Sequence, residues 1–183
     1  MSAPPEPIDL SLYEVEAAAR AAACGAGLPF GVAEEVGRSA VWLARHVGAW
    51  ADGLLALLEA PPPDAQSPLL LGCALADGAV ATAEWVVAPL WVVPVALAGP
   101  GRRNPVAFRL GAIELRCNPG EVPGATVPAD SLATVAPGPV VLRLSAVRLA
   151  PLAHAVPARF ARSVVTGAVW RRLTAFGRRD QVR

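Results

Sequence analysis

Apolar residues recur with a helical period near the start of the chain. At about 100° per residue, Ala33, Val36, Gly37, Ala40, Leu43, Ala44 and Val47 fall on one narrow stripe. Most are small, so a neighbouring helix can approach closely. Glu34, Glu35, Arg38, Ser39, Arg45 and His46 occupy the opposite face, with Trp42 in their midst. An amphipathic helix normally leaves such a face to water. An aromatic ring set among charges predicts that something covers it.

The preceding segment predicts a partner helix. Ser11-Leu-Tyr-Glu14 has capping-box spacing, and Leu12, Val15, Ala18, Ala19 and Ala22 form a second small-residue stripe. Gly25 is the expected stop. Glu16 with Arg20, and Glu34 with Arg38, are spaced for i,i+4 pairs. The two stripes predict a close antiparallel helical hairpin. Residues 1–9 are proline-rich and read as disordered or extended.

Downstream, Asp52 is placed to cap a short helix over 53–59. Pro61-Pro-Pro-Asp64 ends it and begins a rigid linker. Ser67 to Ala76 reads as a helix or a buried strand, and Ser67-Pro68, a good helix start, favours the helix. The pattern then changes to strand-like: 84–97 is rich in Val and Trp, broken near Pro89 and Pro94. Val106–Leu110 and Ile113–Cys117 alternate around Gly111-Ala112, which predicts a tight hairpin. In that register Glu114 and Arg116 share a face that is open to solvent or walls a groove, with Arg109 on the neighbouring strand. A long loop over 118–139, with a helical turn near 129–132, precedes an alternating strand over 140–148. Loops of that length are often functional. Pro157 is read as opening a last helix over 158–176, followed by a basic tail.

The expected fold is therefore α+β: an N-terminal helical hairpin layer, a mostly antiparallel sheet over about 84–147, and a C-terminal helix. The length suits one domain, 1–183, with a helical part over 10–60 and a sheet-containing part over 67–183.

Composition narrows the chemistry. All sixteen basic residues are arginine and none is lysine. Schiff-base lysines and phosphate-loop lysines are thus excluded. A net charge of +1 gives no global attraction to nucleic acid or membrane. The most apolar region, 69–98, is interrupted by Asp77, Glu84, Pro89 and Pro94, which argues against a membrane span. Residues 1–20 lack the basic-then-apolar order of a signal peptide. Cys24, Cys73 and Cys117 are far apart, odd in number and suit a reducing compartment.

Motifs exclude more than they assign. Glu14, Glu16, Glu34 and Glu35 lie on neighbouring helices, but no E-x-x-H spacing accompanies them. His46 and His154 have no metal-ligand spacing. No G-x-S-x-G elbow is present, and Gly25-Ala-Gly27 does not follow a strand. No metal and no cofactor are expected.

Ser11-Leu-x-Glu-Val-Glu16, Ala22-x-x-Gly-Ala-Gly27, Gly31-x-Ala-Glu-Glu-x-Gly-Arg38 and Trp42-Leu43 together resemble the opening of an uncharacterised bacterial family, a domain of unknown function. The likeness covers about the first quarter of the chain. It implies a bacterial cytoplasmic protein. It brings no activity, cofactor or catalytic residue.

Two functional expectations stand beside each other. One is a non-catalytic partner or assembly protein, homo-oligomeric. The other is a small-molecule enzyme or binding protein with an Arg/Glu/His pocket under the long loop. In both, Glu35, Arg38, Trp42 and His46 form the binding or interface surface. The competing reading covers Trp42 from within, by the C-terminal helix bearing Phe160 and Trp170.

Overall fold

A computed structural model describes residues 6–61, 67–77, 82–88, 105–132, 138–145 and 147–179. The fold is α+β. The helical layer comprises α1 (Leu12–Gly25), α2 (Phe30–His46), α3 (Ala51–Glu59) and α4 (Pro68–Ala76). A single turn, α5 (Ala129–Leu132), and the C-terminal α6 (Gly167–Arg179) follow. The strands are β1 (Pro7–Ser11), β2 (Thr82–Ala88), β3 (Val106–Leu110), β4 (Ile113–Cys117), β5 (Gly124–Ala125), β6 (Gly138–Leu144), β7 (His154–Ala155) and β8 (Arg162–Thr166). They form a six-stranded antiparallel sheet of order β2-β6-β3-β4-β5-β7 and a separate β1-β8 ribbon.

Local chemistry starts α1 as its sequence predicts. The Ser11 hydroxyl accepts from the Glu14 amide, and the Glu14 carboxylate accepts from the Ser11 amide at 2.7 Å. The Ser11 hydroxyl, which also donates to the Glu14 carboxylate at 2.6 Å, and then the Ser11 amide hold that carboxyl below its ordinary range. The α1–α2 hairpin is close because its stripes are small. A Cβ on Gly37 would lie 3.0 Å from the Glu16 carbonyl oxygen.

The stop after α1 differs in detail from expectation. Gly25 is the last helical residue, and Gly27 supplies the positive φ of the turn, 90°. Gly25 instead serves proximity: a Cβ there would meet the Phe176 carbonyl oxygen of α6 at 1.8 Å. Asp52 does not cap α3. That helix begins at Ala51, with Trp50 at the cap position and Asp52 in the first turn, where its charge complements the helix dipole. Among the described ion pairs, Arg38 joins Glu35 rather than Glu34, and none joins Glu16 to Arg20.

At the start of the described chain the extended alternative holds, while the C-terminal region departs from the expected pattern. Pro7–Ser11 is a strand, its Asp9 opposite Val164 and its Ser11 opposite Arg162. The region expected as one long helix from Ala158 is an extended strap, then β8, then α6. Ser163 and Val165 are buried while Arg162, Val164 and Thr166 are exposed, a two-residue period that a β-branched run satisfies better as strand. Thr166 then caps α6, its hydroxyl accepting from the Val169 amide at 3.3 Å. Strand β6 ends at Leu144, earlier than expected. The Ser145 side chain bonds both the amide and the carbonyl of Val147, turning the chain.

The remaining expectations for the sheet hold where it is described. Gly111 turns the β3–β4 hairpin at φ 58°. Residues 89–104 and the tail beyond 179 lie outside the described residues, so the later part of the 84–97 strand and the end of the basic tail are not described. Val106, Phe108, Leu115, Cys117 and Ala125 bury one face of the large sheet. On the helical side, α1 packs between α2 and α6, with Val15, Ala19, Ala22, Leu43 and Leu173 inside. The Trp50 indole reaches across to donate to the Ser163 hydroxyl at 3.0 Å.

Candidate functional site

Trp42 and His46 are four residues apart on α2, so they stand one turn above each other on one side. Their rings stack, with centroids 4.7 Å apart and planes 22° apart. His46 Nδ1 lies 2.8 Å from the Val156 carbonyl oxygen. A carbonyl only accepts, so Nδ1 carries the proton and Nε2 of the neutral ring is left as an acceptor.

The strap over 156–160 that holds His46 also closes the end of α2. The amides of Arg159 and Phe160 both donate to the Arg45 carbonyl, at 2.8 and 3.0 Å. Helix ends leave such carbonyls without intrahelical partners. Phe160 packs over Gly48, where a Cβ would lie 3.2 Å from the ring. The Arg159 guanidinium sits 5.6 Å from the Phe160 ring centre and pairs with Asp130. Trp42 is therefore approached by an extended strap, not by a helix bearing Phe160.

Facing the stacked pair is the loop that leaves β4. Asn118 Oδ1 accepts from the Leu149 amide at 2.9 Å, and its Nδ2 donates to the Leu149 carbonyl and to Glu121, each at 3.0 Å. Glu121 in turn receives Arg148 in a two-pronged pair, at 2.7 and 3.0 Å. The Arg148 guanidinium, then Asn118, hold the Glu121 carboxyl below its ordinary range. Such planar forks fix geometry as well as charge. The loop is thus tied to residues 148–149 rather than left to itself.

Between helix and loop lies an open cleft of about 340 Å³. Trp42 and His46 form one wall, Asn118, Gly120 and Glu121 the other, with Cys117, Pro123 and Ala158 completing the lining. Val122 stands at its rim, 60% exposed. The cleft combines a flat aromatic platform, a ring-nitrogen acceptor and a carboxylate already neutralised by arginine. That arrangement suits recognition of a projecting group. Among the described residues no group of three potential metal ligands occurs.

The four residues singled out by sequence do not act as one surface. Glu35 is buried and paired with Arg38 near α4, away from the cleft lining. Cys73 of α4 feels them: burial pushes its thiol up to about 12, Glu35 and Asp77 push the same way, and Arg38 opposes. A thiol so shifted is inert as a nucleophile at neutral pH. Only Trp42 and His46 line the cleft. Asn118, Glu121 and Cys117 were not identified as cleft residues in the sequence; the only signal was the long loop after β4.

Burial pushes the His46 imidazole down, against the two backbone bonds to Val156 and Pro157, which raise it; Arg45 lowers it further. The folded state therefore binds this proton less readily than the unfolded chain, whose histidine titrates near 6.5. The resulting stability is fully present above that pH and is lost as pH falls below it. In urea titrations between about pH 7.5 and about pH 5.5, the native protein is expected to lose stability more steeply than His46→Asn. Equal slopes would show that His46 titrates alike in both states.

The sheet face opposite the core carries charge. Arg116 pairs with Glu114 at 2.7 Å and donates to the Ala150 carbonyl at 3.1 Å. Glu114 is thus half-buried with a partner, in the register expected of the hairpin. A groove of about 230 Å³ runs along this face, lined by Ala107, Phe108, Arg109, Glu114, Val141 and Arg143.

No helix among the described residues is long and apolar enough to cross a membrane. No curated protein and no solved structure matches the chain. Residues 10–58, which span β1's end through α3, match the family model described as a protein of unknown function (DUF3726).

Proposed function

We propose that this chain is a non-catalytic binding protein that self-associates, and that the cleft between α2 and the 118–123 loop receives a projecting group of the neighbouring subunit. The observation that carries the reading is the stacked Trp42–His46 pair, open to a cleft whose rim presents the exposed Val122. Tryptophan in a partly desolvated pocket is a frequent interface anchor. A bacterial cytoplasmic setting belongs to the same reading, supported by the odd number and wide spacing of the cysteines.

Light scattering on the purified protein tests it. The native chain is expected to have a mass above that of one subunit. Val122→Glu places a charge on the rim without touching the core, and is expected to release single subunits of unchanged melting temperature. A native protein that is monomeric at tens of micromolar would overturn the reading. The second reading, a small-molecule pocket, is favoured by the His46 ring and the Glu121 carboxylate lining the same cleft. It predicts a ligand-induced rise in melting temperature that Trp42→Ala abolishes.

A further inference from the structure

The groove on the polar face of the six-stranded sheet has chemistry that the α2 cleft lacks. Arg109 on β3 lies opposite Val141 on β6, and Arg143 on β6 lies opposite Ala107 on β3. The two arginines thus occupy one diagonal of a four-residue square, with the short Ala107 and Val141 on the other. Diagonal neighbours across antiparallel strands are about 7–8 Å apart, within reach of one small ligand for two long side chains. Both arginines are exposed and neither has a carboxylate partner among the described ion pairs. Glu114 on the same face is already held by Arg116. Among the described side chains of this face, Arg109, Arg116 and Arg143 outnumber Glu114, which lies opposite Arg109 in register. Two like charges on neighbouring interior strands repel each other, and an anion held between them relieves that repulsion.

We infer that this groove is a binding site for a small phosphate monoester, whose phosphoryl group is held between the Arg109 and Arg143 guanidiniums over a floor of Ala107 and Val141. Guanidinium forks match phosphoryl oxygens two at a time, and a doubly charged anion answers both arginines at once. The groove's volume of about 230 Å³ falls below the usual range for drug-sized ligands, about 300–1,000 Å³, so the ligand is small. The site is independent of the α2 cleft and of the self-association proposed for it.

Isothermal titration of the full chain with inorganic phosphate and with glycerol 3-phosphate, at fixed ionic strength against chloride, tests the assignment. Saturable binding is expected for both. Arg109→Ala and Arg143→Ala are each expected to weaken it at least tenfold, and the double variant to remove it. Arg45→Ala, an exposed arginine outside the groove, is expected to change nothing. Both groove arginines are exposed on their strands, and an unchanged melting temperature confirms that the variants fold. Absence of saturable phosphate binding overturns the inference. So does equal affinity in the double variant, or succinate binding as tightly as phosphate.

Discussion

Gly25→Ala is expected to destabilise the protein by about 3 kcal/mol or more, the upper end for forcing a methyl into a packed contact. The added Cβ would lie 1.8 Å from the Phe176 carbonyl oxygen and 2.4 Å from its carbon. Both atoms are backbone, so no side-chain rotation relieves the clash. Helix α6 must move away from α1, and it carries Leu173 and Phe176 out of the core with it. Gly31→Ala is the matched control. That glycine also lies in a helix, with nothing within 4 Å of its Cβ position. Alanine there is expected to stabilise by about 0.5–1 kcal/mol through lower backbone entropy in the unfolded chain. Urea midpoints with unchanged slopes measure both. A Gly25→Ala protein as stable as the native one would show that α1 and α6 do not touch at this point.

Trp50→Ala is expected to cost about 3–5 kcal/mol, as truncation of a buried aromatic does. Trp50 is 2% exposed and its indole N–H meets the Ser163 hydroxyl. Trp50→Phe separates the two contributions. The ring's bulk is largely retained, but the buried hydroxyl loses its donor, at a cost of about 1–3 kcal/mol. Adding Ser163→Ala removes the orphaned group and is expected to restore part of that loss. If the double variant is as unstable as the sum of the singles, the two side chains are not coupled.

What the sequence made legible was local. The Ser11–Glu14 box, the small stripes of the hairpin, the Ser67-Pro68 helix start and the Gly111 turn each depend on residues a few positions apart. What escaped depends on distant partners. Pro157 is a sound helix opener in isolation, yet residues 156–160 are extended because His46 and the Arg45 carbonyl bind them there. Arg162–Thr166 contains enough apolar residues for a helix face, but β1 offers a strand edge from the other end of the chain. Glu34 and Glu35 were equally available to Arg38 by spacing. Burial of Glu35 against the protein, which spacing does not encode, decides between them. The candidate site shows the same division. Trp42 stood out by helical angle, whereas Asn118 and Glu121 acquire meaning only once β4 brings their loop to α2.

The β1–β8 ribbon has a kinetic corollary. Asp9 and Arg162, joined at 2.7 Å, are separated by 153 positions, and α1 is sheathed by α6. Joining such distant segments carries the entropy of a long loop and slows folding. On the ribosome the order of events is constrained further. About 120 residues separate the end of α2 from the start of α6, and at about 5–20 residues per second they take about 6–24 s to be made. Through that interval the nascent hairpin lacks both α6 and β8, the mate of β1. The segment that matches the family model is thus one that a much later-made part of the chain must finish.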